Sequence, residues 1–199
     1  MKPLSYEQLQ QACSARGYRF FDDGNYNLNI IGVRSADLQA NTFNDLIYIA
    51  WRVAGEPIVV SLPATTDPGV YWRENLANAA GTGFLVPGQY SGAFRVGKHK
   101  GYHALVQARE LPLYRDADRD AKLEPNESSI QTGYFGINLH RARVDGRSNL
   151  VDRWSAGCQV VADSSDFDLL MSLVDIASKH WGETFTYTLL DEQLLKGVH

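Results

Sequence analysis

The 199 residues, 44% hydrophobic and 21% charged, have the make-up of a folded protein long enough to bury a core. A net charge of −4 with no Lys/Arg cluster argues against a nucleic-acid partner and offers little attraction to an anionic membrane. No stretch has the length of an apolar membrane span, and two cysteines, Cys13 and Cys158, make neither a disulfide framework nor an all-cysteine zinc site.

The opening Met-Lys-Pro-Leu-Ser-Tyr-Glu-Gln lacks the apolar run of a signal peptide, so synthesis and folding in the cytoplasm are expected. A first helix starts at Ser5, with Gln8 as its capping-box partner and Leu4 and Leu9 as the hydrophobic staple. Gly17 stops it, and Leu9, Ala12 and Cys13 share one face, which makes Cys13 a core residue. Strands are expected at Tyr26–Arg34, Phe43–Val53 and Pro57–Leu62, where β-branched and aromatic residues concentrate. The segment Ala64–Gly69 reads as a turn-rich loop, followed by Tyr71 and Trp72. Further strands are expected at Gly83–Val86, Ala93–Val96, Ala104–Gln107, Leu111–Tyr114, Tyr134–Leu139 and Gln159–Val161, separated by glycines and polar loops at a spacing that suits a sandwich or barrel. Between Ser165 and Trp181, Phe167, Leu170, Met171, Val174 and Ala177 recur at helical spacing, and Gly182 ends the helix before a last strand, Thr184–Leu189. No linker divides the chain. The expectation is one α+β domain over residues 1–199, β-rich and sandwich-like, with an N-terminal helix and one long C-terminal helix.

Chemistry concentrates in Gly136–Val161. A strand-like stretch delivers His140, a polar loop follows, and Ser155-Ala156-Gly157-Cys158 leads into the apolar Gln159-Val160-Val161. Gly157 lets the backbone turn sharply or approach a ligand just before the thiol. An imidazolium beside a thiol favours the nucleophilic thiolate, and the same His can later protonate a leaving amine. Backbone N–H groups around Gly157 and Cys158 are placed to hold an oxyanion. Cys158 and His140 are therefore the candidate nucleophile and base, with Gly157 and Ser155 shaping the turn or touching substrate.

The stretch His140…Ser155-Ala156-Gly157-Cys158, its two reactive residues 18 positions apart, resembles the signature of the L,D-transpeptidase (YkuD-type) catalytic domain, most closely phage- and prophage-associated members. The run Val86–Val96 is similar to that family's Pro-x-Gly-x-Phe region, and the resemblance covers about residues 81–161. It implies a thiol acyl transferase acting on the L-centre carbonyl of a peptidoglycan stem peptide through a Cys158 thioester, with no cofactor. It also implies action on the cell wall after release or export. Two other outcomes stay open: a hydrolytic carboxypeptidase or endopeptidase serving as a phage lysin, and a non-catalytic wall-binding or virion module. The chain departs from the pattern at Ala156, where His is common, at Arg141, where Gly follows the base, and at Val160, where Arg usually binds a carboxylate. Arg141, Arg143 and Arg153 are the candidates to replace that charge, and Trp72, Tyr71 and Tyr90 to line a groove.

Asp116, Asp118 and Asp120, with Glu124 and Glu127, have the spacing of a calcium loop, but Ala121 stands where such a loop needs Gly. A solvated acidic turn is the reading preferred. His99 and His103 read as part of a hairpin beside the active site, and no metal site is assigned.

Overall fold

The computed structural model describes residues 3–37, 41–120 and 122–195; the first two residues of the opening segment lie outside them. The chain begins with α1 (Tyr6–Ser14), followed by β1 (Asn29–Arg34), β2 (Asp45–Val53) and β3 (Glu56–Thr65). A short helix, α2 (Val70–Glu74), leads to β4 (Thr82–Leu85), β5 (Gly88–His99), β6 (Tyr102–Gln107), β7 (Leu111–Asp116) and β8 (Gln131–Gly133). Then come β9 (Leu139–Arg141), β10 (Gln159–Val161), α3 (Ser164–Trp181) and β11 (Thr184–Asp191).

The fold is α+β and strand-rich, but its main sheet is not one layer of a sandwich. Eight strands close into a barrel in the order β1-β11-β5-β6-β9-β10-β3-β2, and β4, β7 and β8 form a separate sheet beside it. Closure comes from β1, which pairs antiparallel with β2 and parallel with β11 and so leaves neither edge open. Side chains alternate across the barrel wall. Ile30, Ile47, Ile49, Leu62, Tyr187 and Leu189 point into the central core, whereas Ile31, Val33, Tyr48, Ala50 and Leu190 pack under α1. Cys13 lies in that second cluster, 1% exposed.

The helices follow their local signals. Ser5 Oγ accepts from Gln8 N–H at 3.2 Å, and the Gln8 side chain accepts from Ser5 N–H at 3.0 Å. Asp163 caps α3 by accepting from Ser165 N–H, and the buried stripe Phe167, Leu170, Met171, Val174 and Ala177 joins the barrel core. Among the described residues no helix is long and apolar enough to cross a membrane.

Tyr71 and Trp72 lie in α2. One segment differs from expectation. Only Leu139 of Tyr134–Leu139 enters a strand, because Gly136 turns at φ +74 and Gln107 Oε1 takes the Phe135 and Ile137 N–H groups at 3.0 and 2.9 Å. A side-chain acceptor has replaced the ladder there.

One contact ties the barrel wall to the thiol turn. Tyr187 crosses the interior from β11 and donates its hydroxyl to Gln159 Oε1 on β10 at 2.6 Å, both residues buried. Gly32 leaves room for it, since a Cβ there would come within 2.0 Å of the Tyr187 hydroxyl. Tyr187→Phe strands a buried acceptor and is expected to cost about 1–3 kcal/mol in a urea unfolding titration; a change below about 0.5 kcal/mol would show that Gln159 finds another partner.

Candidate active site

β9 and β10 run side by side in parallel, with Gln159 opposite Leu139 and Val160 opposite His140. Period-two alternation then puts Cys158, Val160, Asn138 and His140 on one face of this pair. Leu139 and Val161 face the barrel core, so the reactive pair stands on the outside of the barrel wall. The loop between β9 and β10 covers it, anchored by bridges from Leu150 to Thr42 and from Arg147 to Asp163.

The turn before the thiol is held from three sides. Ser155, fully buried, donates from Oγ to Cys158 O at 2.8 Å and accepts from Gly157 N–H at 3.1 Å. Both contacts lie within the turn, and the side chain leaves no exposed surface. Gly157 has φ +117, and a Cβ there would lie 2.3 Å from Gly83 O on β4. Only glycine fits. Its N–H is spent on Ser155, however, and is not free to hold an oxyanion, whereas the Cys158 N–H has no partner among the described residues. Gln159 Nε2 completes the turn by donating to Gly157 O at 3.4 Å.

His140 is 3% exposed, and its Nδ1 lies 2.8 Å from Arg141 O. A carbonyl only accepts, so Nδ1 carries the proton and Nε2 keeps its lone pair. A second imidazole lies flat against it. His99, at the end of β5, stacks at 4.1 Å between centroids and 8° between planes. Asn138 Nδ2 is 3.1 Å from His99 Nδ1 and donates to it, which leaves the His99 proton at Nε2. The sequence places His99 only in a neighbouring hairpin and gives no sign of this stacking; His103, on the next strand, is exposed.

Burial, with His99 and Lys100 adding to it, pushes His140 down to about 3. Burial also lowers His99 and raises the Cys158 thiol above its ordinary value. The thiolate–imidazolium pair expected from the sequence is therefore not the resting state, because a neutral imidazole gives a thiolate no counter-charge. The thiol is half-buried and donates to Gly136 O at 3.4 Å, while Sγ accepts from Asn138 N–H at 3.5 Å. No direct thiol–imidazole hydrogen bond exists among the described residues. The unfolded imidazole protonates near 6.5 and the folded one only near about 3, so His140 subtracts stability as pH falls through that window.

The other candidates divide. Arg141 lies over the Tyr102 ring at 4.4 Å and 3.9 Å from Asp168, beside His140. Arg153 stacks on Tyr71 at 3.9 Å, and Trp72 donates its indole N–H to Arg153 O at 3.1 Å, which ties α2 to the loop before Ser155. Tyr90, partly buried, packs against the central core and donates its hydroxyl to Val86 O. Asp116, Asp118 and Asp120 gather around Arg73 at 3.0, 3.8 and 3.4 Å, and this guanidinium, 1% exposed, also donates to Asp120 O at 2.6 Å. The acidic turn thus encloses a cation of the chain itself rather than being wholly solvated; Ala121 lies outside the described residues. Among the described residues no group of three or more His, Cys, Asp or Glu is arranged to hold a metal.

Protein-family models and curated proteins give no match to this chain.

With both thiols raised, Cys13 to about 11, alkylation by iodoacetamide at pH 7 is expected to be slower than for a free thiol at both positions. Cys158 should outpace the more deeply buried Cys13, and both rates should climb above pH 9. A fast Cys158 reaction, constant from pH 6 to 8, would reveal a preformed thiolate and contradict this.

Proposed function

We propose that the protein is a cysteine acyl transferase of the L,D-transpeptidase kind, acting on peptidoglycan stem peptides. The observation that carries this reading is a tautomer and its place. His140 Nδ1–H is pinned by a backbone carbonyl, which leaves Nε2 as a base on the same strand-pair face as Cys158.

In this reading the thiol swings from the Gly136 carbonyl toward His140 as substrate enters. Cys158 Sγ attacks the carbonyl at the L-centre, its proton passes to His140 Nε2, and the Cys158 N–H takes the oxyanion. Collapse breaks the C–N bond, and the proton on His140 goes to the departing amine. An incoming amine or water then attacks the thioester, gives its proton to His140 and releases the thiol. Proton transfer accompanies attack rather than preceding it, since both groups rest neutral. The active protonation state, neutral thiol and neutral imidazole, spans the range above about 3 up to the raised thiol value.

The neutral, half-buried thiol also favours one competing reading, a wall-binding module without turnover. The test is incubation with purified peptidoglycan fragments and mass analysis of the products. Cys158→Ser should retain the fold and lose nearly all turnover, and His140→Ala should lose roughly 10²–10⁴-fold. The double variant should be no worse than the weaker single one, because both residues serve one step. kcat/KM should stay level from pH 5 to 8. Wild-type turnover by Cys158→Ser, or no product from the wild type, would overturn the proposal.

A further inference from the structure

A second cavity lies away from the thiol. Gly83 of β4 lies against Gly157, and alternation turns the next residue, Phe84, to the opposite face of that strand. On this far face the ends of β1 and β11 meet β4 and β7 around a space of about 270 Å³. Phe84, Tyr114, Leu123, Pro87 and Pro125 wall it, and Arg34 and Asp191 give it a charged end.

Arg34 is 3% exposed and most of its donors are spent. Nε donates to Asp67 Oδ1 at 2.7 Å and to Thr66 Oγ1 at 3.1 Å, and Nη2 donates to Leu85 O at 3.0 Å and Thr66 O at 3.3 Å. Nη1 is left over. It makes no hydrogen bond among the described residues, and Asp191 Oδ1 stands 4.0 Å from it, too far for one. The Asp191 carboxylate, partly exposed, likewise accepts no hydrogen bond among the described residues, and burial raises its pKa above the ordinary value. A buried guanidinium edge and a carboxylate thus stand together at the cavity with neither satisfied.

The surroundings select the charge of an occupant. Asp67 and Asp191 already outnumber the one guanidinium, so a lone anion is repelled, while a lone cation has Arg34 beside it. A zwitterion meets both groups and adds no net charge. The rest of the lining is apolar: Pro87 and Pro125 bring no backbone N–H, and the Tyr114 hydroxyl is taken by Glu127 Oε1 at 3.1 Å. The volume falls below the roughly 300–1,000 Å³ of pockets for drug-sized ligands, which suits one residue rather than a peptide.

We propose that this cavity binds a free α-amino acid with an apolar side chain, its carboxylate on Arg34 Nη1, its ammonium on Asp191 and its side chain against Phe84, Tyr114 and Leu123. The site is separate from the thiol face and does not depend on the acyl-transfer reading.

The test is calorimetry of the full chain with L-phenylalanine and three probes that each lack one feature. 3-Phenylpropanoate lacks the ammonium, 2-phenylethylamine the carboxylate and glycine the ring. L-phenylalanine should bind, and each of the others should bind at least about tenfold more weakly, having lost one charge-assisted contact or the buried ring. Asp191→Asn should bring L-phenylalanine within about twofold of 3-phenylpropanoate, since only the ammonium uses that carboxylate. Cys158→Ala should bind L-phenylalanine as the wild type does. L-phenylalanine should also raise the wild-type melting temperature by mass action, so the wild-type series decides even if Asp191→Asn folds poorly. No binding of L-phenylalanine, equal binding of the three phenyl compounds, or unchanged affinity in a folded Asp191→Asn overturns the proposal. Loss of binding in Cys158→Ala does so too, by moving the probe to the thiol face.

Discussion

The parallel pairing of β9 with β10 is the constraint on which the candidate site depends. Hydrogen-bonded neighbours that run in the same direction carry matching faces, so Cys158 and His140 come to one side of the wall with no hydrogen bond between their side chains among the described residues. Parallel neighbours cannot be joined by a tight turn; the chain must travel back to the starting end, which takes a dozen or more residues. The separation between His140 and Cys158 is this return path. The path then serves as the site's cover, with Trp154 and Arg143 lining a groove beside His140 and Ser155 beneath the turn.

Around that pairing the fold supplies rigidity from unexpected directions. Tyr187 reaches through the barrel to Gln159, and Gly157 lies against Gly83 of the small sheet. The barrel interior and the accessory sheet thus meet at the residues flanking the thiol. Arg34 joins the same region: it pairs with Asp67 at 2.7 Å and donates to Leu85 O at 3.0 Å, linking β1, the loop after β3 and β4 in a buried network. Buried charges of this kind persist because each is paired and hydrogen-bonded on several sides.

What could be read from the residues was local. The Ser5 capping box, the α3 stripe and the glycine turn before Cys158 each declare themselves within a few positions, and each occurs where expected. The strand spacing admits a barrel as well as a sandwich, but the closure that decides between them has no local signal, because it joins β1 to β11 across nearly the whole chain. The stacking of His99 on His140 depends on β6 meeting β9 through one register pair, Leu105 with Leu139, which leaves no sequence signal. Arg73 was missed for a related reason: its carboxylate partners begin 43 positions later, and the acidic run alone looks like a metal loop or a solvated turn. The sign of the Cys158 shift was misjudged because sequence gives the proximity of an imidazole but not its burial, and burial decides whether that imidazole is charged.

The proposed chemistry requires a neutral base holding its proton on Nδ1 beside a neutral thiol. Two-bond nitrogen–carbon correlation spectra of histidine-labelled protein, followed from pH 8 to pH 4, read tautomer and charge together. The account predicts that the His140 signals keep the pattern of a neutral ring protonated at Nδ1 across that range. A midpoint near 6.5, or a ring protonated at Nε2 at neutral pH, would contradict it.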